Sequence, residues 1–437
     1  MSDDLELRPA GAETAAEEPD PSGRPGRIAS LRRVAIDVRP LRESPPFRRL
    51  WVGQAISFLF GEVTYVALPY QVYKLTGSTL AVGMLSFCLL VPLLTLTLVG
   101  GAIADALDRR RVLLVTELGL AASSAGLAAN AALPHPHVRL LYVLATLSAG
   151  FFSLGIPAMR SLTPRLVGED QIAAASNLEG LYSNFGAVAG PALGGLLIAG
   201  IGLTATYTLD VASFAASLIS VWLLPSIAPA PEADRASVRS IVEGFRYVRS
   251  QPAILGIFLV DTNAMIFGMP AALFPALATH RFGGGAHTVG FLYAAPYAGA
   301  FLASFASGWV SHARRHGLIV VIAAALWGVA IAVFGFVTSL PLALFFLALA
   351  GAADLVSAIF RSAIVLKVTP DELRGRVSGI EFAQVASAPT LGNVEAGALA
   401  SLTSLRFSIA SGGIACIVGT LLIALLVPAL RRYDARA

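Results

Sequence analysis

The sequence predicts an all-α membrane protein of twelve transmembrane helices in two pseudo-symmetric six-helix bundles. Three observations carry that expectation. Of 437 residues, 56% are hydrophobic and only 13% are charged, against roughly 25% charged in soluble domains. Twelve stretches reach the ~20 mostly apolar residues that a span requires, and none alternates with the period of an outer-membrane barrel. The chain also repeats itself: Val82-Gly83 and Gly101 recur as Val289-Gly290 and Gly308, shifted by 207 residues. Thr163-Pro164 recurs as Thr369-Pro370, and Gly190-Pro191-x-x-Gly194 as Ala388-Pro389-x-x-Gly392. Six spans followed by six related spans is a transporter plan, with the ligand site between the halves near mid-membrane.

The elements follow in order. Residues 1–46 are acidic at first and rich in Ala, Pro and Glu, unlike a cleavable signal peptide. They are expected to be a disordered cytoplasmic tail; Arg27 to Leu41 offers a surface-lying helix as the alternative. The N-terminal bundle, 47–224, holds spans at 50–72, 80–104, 112–132, 139–159, 172–199 and 203–224. A linker, 225–252, opens with PSIAPAPEAD and becomes amphipathic from Ser237 to Arg249, with Val238, Ile241, Val242, Phe245 and Val248 on one face. It is read as ending in a helix along the cytoplasmic membrane surface. The C-terminal bundle, 253–428, holds spans at 253–275, 288–310, 317–338, 341–361, 376–399 and 406–428, and 429–437 is a cytoplasmic tail.

With both termini inside, 27 of the 31 Lys and Arg fall on the inner side, and Lys74, Arg139, Arg281 and Arg406 on the outer. That asymmetry sets the orientation, with both termini cytoplasmic. It also explains the net charge of +4 without a nucleic-acid partner. Cys88 and Cys416 fall within spans and form no disulfide framework. The six histidines are read as loop residues; His135 and His137 face outside and could touch a metal, but two exposed loop histidines are more often solvated, so no metal site or cofactor is expected. Neither G-x-x-x-x-G-K-S/T, H-E-x-x-H nor G-x-S-x-G occurs, which argues against an ATP-driven pump and the commoner intramembrane hydrolases; no enzyme is expected.

Gly186, Gly190 and Gly194, with Gly195, strip one face of span five, and Pro191 removes a backbone hydrogen bond beside them. Such a run serves either as a close-packing stripe or as a functional bend. Between spans two and three, Gly101, Asp105, Arg109 and Arg110 stand in GAIADALDRRR, where Asp105 can meet a helix N-terminus and the arginines offer breakable pairs. A carboxylate at mid-bilayer costs ~2.5–3.5 kcal/mol, so each one needs a reason. Glu62 lies near the middle of span one, on a face with Gln54, Phe58 and Tyr65. Asp261 lies a third of the way into span seven, beside Asn263, and Asp354 in span ten shares a face with Ser357 and Arg361. Glu381, Gln384 and Glu395 share a face of span eleven, whereas Glu117, Glu179 and Asp210 are read as packing or interfacial acids. Proton exchange at Glu62 competes with a purely structural hydrogen bond; for Asp354 a local pair with Arg361 is expected.

The glycine run resembles the antiporter motif G-x-x-x-G-P-x-x-G-G of the major facilitator superfamily, matching at Gly186, Gly190, Pro191, Gly194 and Gly195. The loop resembles that superfamily's G-x-x-x-D-x-x-G-R-K/R, except that Asp108 replaces glycine. The arginine of the span-four motif R-x-x-Q-G is absent. PFRRLWVGQAIS, PRLVGEDQI, EGFRYVRSQP, FPALATHRF and TPDELRGRVSG further resemble bacterial siderophore exporters of the enterobactin-exporter type, a subgroup that includes macrolide and multidrug efflux proteins. The resemblance implies the major facilitator fold, export rather than uptake, and Asp105 as a latch towards span eleven near Arg374. It also implies that spans one, four, seven and ten line a cavity, favouring Glu62, Asp261, Asp354, Gln54, Tyr65 and Asn263. The expected partners are a siderophore-like or drug-like small molecule, protons and the lipid bilayer, with a monomer working by alternating access.

Overall fold

The computed structural model describes residues 37–225 and 238–434, and among these there are helices and no strands. Span one, Pro45–Thr76, starts at an N-cap: Ser44 accepts from the Phe47 amide at 3.3 Å, with proline in the first turn. It stops at Gly77, whose φ of 64° admits only a residue without a Cβ penalty, and Ser78 at once caps span two, Thr79–Ala106. Span three, Arg109–Ala132, is capped by Asp108, which accepts from the Arg110 amide at 2.9 Å. An aspartate cap therefore makes the turn where the superfamily pattern has glycine. Span four is Val138–Leu166.

Spans five and six form one run, Ile172–Trp222, broken at Gly202 with φ 81° and ψ 170°. Only glycine adopts that conformation readily, so the junction expected between 199 and 203 is made by a single residue. Span seven differs from expectation. It was expected to run unbroken over 253–275 but is helical at Pro252–Phe267, interrupted at Gly268–Pro270, and helical again at Phe274–His280. Pro270 cannot donate to the helix ladder and biases Met269 away from helical geometry. The polar groups exposed by the break are met by side chains: Trp327 Nε1 donates to the Gly268 carbonyl at 3.1 Å, and Asn393 Oδ1 accepts from the Ala272 amide at 2.9 Å. Irregular backbone at this depth survives only with such partners.

Span eight, Ala286–Phe305, gives way to a 3-10 turn at Ser307–His312, so its helix ends before the expected 310. Spans nine to twelve are His316–Phe334, Leu340–Val368, Asp371–Leu402 and Leu405–Leu426. Among the described residues ten helices are long and apolar enough to cross a membrane. The run broken at Gly202 supplies two of the expected spans, and span eleven is long enough but is kept too polar to register by residues such as Gln384, Asn393 and Glu395.

Packing follows the repeat. Span two lies along span four and span eight along span ten; span three packs on four, and nine on ten. Across the halves, span two crosses to eleven as span eight crosses to five. The linker helix, Val238–Ser250, is fastened to the C-terminal half. Arg376 pairs with Glu243 at 2.7 Å, the Tyr247 hydroxyl donates to the Val368 carbonyl at 2.7 Å, and Val248 joins the core around Ile254, Ile257 and Val377. Its apolar face is thus split: Val248 turns inward, while Val242 and Phe245 are 50% and 60% exposed. The side chains of Val238 and Ile241, and residues 1–36, 226–237 and 435–437, lie outside those described.

A polar ladder joins spans one, three and six inside the N-terminal half. The Gln54 amide donates to Glu117 at 3.0 Å and to Ser217 at 2.9 Å. Thr64 and Ser124 both donate to Asp210 Oδ2, at 2.8 and 2.6 Å, and Tyr207 donates to Gln71 at 2.9 Å. Glu117 and Asp210 are therefore packing acids, buried among hydroxyl and amide donors. Asp210→Ala would strand two buried hydroxyls, and we expect a loss of about 1–3 kcal/mol in unfolding of the detergent-solubilised protein, with Asp210→Asn clearly milder.

Candidate functional site

Glycine spacing in span five determines how close its neighbours come. A Cβ on Gly186 would lie 2.6 Å from the Phe58 ring, one on Gly194 would lie 3.1 Å from Val63 Cα, and one on Gly190 would collide with Glu62 Cβ. All three face span one. Gly195 faces span eight, where a Cβ would lie 2.6 Å from the Ala286 carbonyl oxygen and 2.9 Å from Gly290 Cα. Gly290 in turn packs on the Pro191 carbonyl. The backbone stays helical through Pro191. The run therefore acts as a close-packing stripe, and what it packs against is the stretch of span one that carries Glu62.

Further contacts close the halves together towards the end opposite the arginine-rich loops. Thr79 Oγ1 donates to the Gly397 carbonyl at 2.9 Å, Gly83 faces the Asn393 backbone, and His280 meets the Tyr73 hydroxyl at 2.9 Å. The Tyr65 and Tyr293 rings meet edge to face at 5.6 Å. Nearer the basic end, the Arg160 guanidinium lies over Phe382, 5.7 Å from its centroid.

Between these levels the ionisable groups converge. Glu62 makes no hydrogen bond or ion pair among the described residues; Tyr65 and Tyr297 lie within its electrostatic reach. Tyr297 is also within reach of Asp354, which links span one to span ten. Arg361 Nη2 approaches Asp354 at 3.9 Å, but its short bond goes to Asp261 of span seven, with Ser357 Oγ a further partner at 3.2 Å. The other Asp261 oxygen accepts from Gln384 at 2.8 Å, and Glu381 completes the surroundings. One guanidinium therefore stands among three carboxyl groups. The expected Asp354–Arg361 pair is the weaker contact. Arg361 closes the expected span 341–361, but span ten continues to Val368, which places Arg361 about two turns inside the helix.

Two expected cavity residues point elsewhere. Gln54 turns to Glu117 and Ser217, since eight residues along a helix rotate it away from Glu62. Asn263 turns to span twelve, donating to the Cys416 carbonyl at 2.8 Å and to Thr420 at 3.3 Å. Tyr297 was missed; its only sequence signal was its spacing of four from Tyr293. In the loop between spans two and three, Arg110 donates to the Trp222 carbonyl, a cation at the C-terminal end of span six, and Arg109 is buried. Among the described residues nothing lies within 4 Å of a Cβ built on Gly101. The Asp105 side chain lies outside those described; Arg374 pairs with Asp371 at 2.9 Å.

The sequence pattern of a family described as Transmembrane secretion effector matches residues 36–437. The chain is 32% identical over 399 residues to the enterobactin exporter EntS of Shigella boydii serotype 18, covering 91% of this chain and 95% of that protein. The same figures hold for EntS of Escherichia coli O81. Among solved structures, the nucleoside transporter NupG superposes with a TM-score of 0.70 at 14% identity, over 89% of this chain and 100% of that one. A POT family transporter in complex with 5-aminolevulinic acid gives 0.69 at 14%, over 89% and 97%; both likenesses concern the fold.

Asp261→Asn leaves Arg361 with Asp354 at 3.9 Å, whereas Arg361→Gln leaves the buried Asp261 without a cation, so Arg361→Gln is expected to cost the more, about 3–5 kcal/mol. Asp261→Asn combined with Arg361→Gln should restore part of that loss, and a double-mutant cycle on thermal unfolding measures the coupling.

Proposed function

We propose, from the premise that this chain belongs to the transmembrane secretion effector family of the major facilitator superfamily, that it is a proton-driven exporter of a siderophore-like small molecule. It works by alternating access in the cytoplasmic membrane, with both termini cytoplasmic. The observation that carries this reading is Glu62: an acid without a polar partner among the described residues, on the helix that contacts the glycine stripe, within reach of a tyrosine shared with Asp354. A carboxyl group held in that setting exchanges a proton when water reaches it from one side and then the other.

The halves meet most closely away from the basic end, a geometry that suits loading from the cytoplasm. Cargo enters between spans of the two halves, and the halves then rock about the stripe of span five and its counterpart in span eleven. Release outward is coupled to proton uptake at Glu62, with Asp261 as the second carrier; Asp105 and the loop arginines latch the cytoplasmic side. One proton moving down 100 mV contributes ~2.3 kcal/mol, which sustains a cargo gradient of about fortyfold when one net charge moves inward. The protein acts as a monomer. Cargo identity rests on the relatives, which are enterobactin exporters by name. A second reading, multidrug or macrolide efflux, is favoured by the excess of acids over the single Arg361 and by the tyrosine lining, which suit a hydrophobic cation.

Energised inverted vesicles test both. Uncoupler-sensitive accumulation of siderophores should fall at least tenfold in correctly folded Glu62→Gln. Accumulation of cationic drugs alone selects the second reading. Transport that survives both uncoupler and substitution removes proton coupling at Glu62.

A further inference from the structure

The linker helix Val238–Ser250 presents an outward face that no other part of the proposed mechanism uses. It ends two residues from Pro252, where span seven begins, so it lies at the rim of the membrane-spanning bundle. Its inner side is held: Glu243 pairs with Arg376, Tyr247 bonds the end of span ten, Val248 is buried, and Gly244 packs on Arg376 and Ile380 of span eleven. These contacts fix which side looks out. Val242 and Phe245 stand on that outer side, 50% and 60% exposed, and Arg246 and Arg249 are exposed next to them. Spacings of three, four and seven residues put these four side chains on one helix surface.

Two features make this surface fit one occupant. The first is charge: the helix's one acid, Glu243, is engaged by Arg376, and no acid among the described residues pairs with Arg246 or Arg249. Among the described residues the outward face is thus positive without a compensating carboxylate. The short C-terminal helix Pro428–Arg431 packs on the same start of span seven, and its Arg431 and the following Arg432 are exposed too. The second is depth: an apolar pair with arginines beside it is how a helix seats at the boundary between acyl chains and headgroups, the aliphatic stems lying along the lipid while the guanidiniums reach phosphate.

We infer that the outer face of the linker helix is a docking surface for anionic phospholipid, with Val242 and Phe245 entering the boundary layer and Arg246 and Arg249 binding headgroup phosphates. Because the helix is clasped to span eleven through Glu243–Arg376, that grip bears on a helix that crosses to the other half at span two. Each basic residue near an anionic surface contributes about a fivefold gain in local partitioning, so the two arginines together give an effect large enough to read.

The test uses the full chain with Cys88→Ser and Cys416→Ser, an environment-sensitive fluorophore on Val242→Cys, and lipid nanodiscs. One set contains phosphatidylcholine alone and the other about 30 mol% phosphatidylglycerol. The expected result is a blue-shifted emission and at least about twofold less quenching by aqueous iodide in the anionic discs, with the difference abolished by Arg246→Gln with Arg249→Gln. Equal quenching in both lipids, or strong protection in both, overturns the proposal, the latter by showing that protein covers the face. A lipid difference that persists without the two arginines also overturns it. None of these readouts depends on transport.

Discussion

The close approach of span five to its neighbours is the constraint from which the rest of the arrangement follows. Between helices in lipid there is no hydrophobic gain from water exclusion, so association relies on backbones coming near enough for dispersion contacts to accumulate. Gly186, Gly190 and Gly194 let span one settle against span five, and Gly195 meets Gly290 across the halves. One helix thus touches the acid-bearing helix of its own half and a helix of the other half. Side chains at these positions would separate the two halves and displace the backbone that holds Glu62.

Against that frame the polar groups divide into two kinds. In the ladder of spans one, three and six, Gln54, Thr64 and Gln71 bond with partners on the facing helices, which holds three helices of one half together. In the space between the halves, Arg361 stands among more carboxyl groups than it can neutralise, and Glu62 has no polar partner among the described residues. A bilayer penalises uncompensated charge, so the first group stabilises the bundle, while the second is the group on which the proposed proton coupling rests. The same span, one, carries both kinds on different faces.

The expectations that failed did so for one geometric reason. Helical periodicity places Gln54 within about 80° of Glu62, and a neighbouring helix with Ser217 and Glu117 decided the side chain's direction. Asn263 adjoins Asp261 in sequence, yet a step of two residues turns it to span twelve and Cys416. Arg361 was assigned to Asp354 by shared face, whereas Asp261, a hundred residues away in sequence, takes its short bond. Span seven broke where Pro270 made continuation costly, and the break is bearable only because Trp327 and Asn393 supply partners from other helices.

Composition, hydrophobic run length, the basic-residue asymmetry and the 207-residue repeat were enough to determine a helical membrane bundle in two halves, because the bilayer leaves a chain of this apolarity few alternatives. The caps at Ser44, Ser78 and Asp108 and the stops at Gly77 and Gly202 were equally local, since they depend on one residue's conformational range or one short side chain. Tertiary structure alone decided which acids find donors and which are left facing the space between the halves. Those outcomes depend on the rotation of each helix about its axis and on partners far away in sequence, and a single helix's periodicity constrains neither.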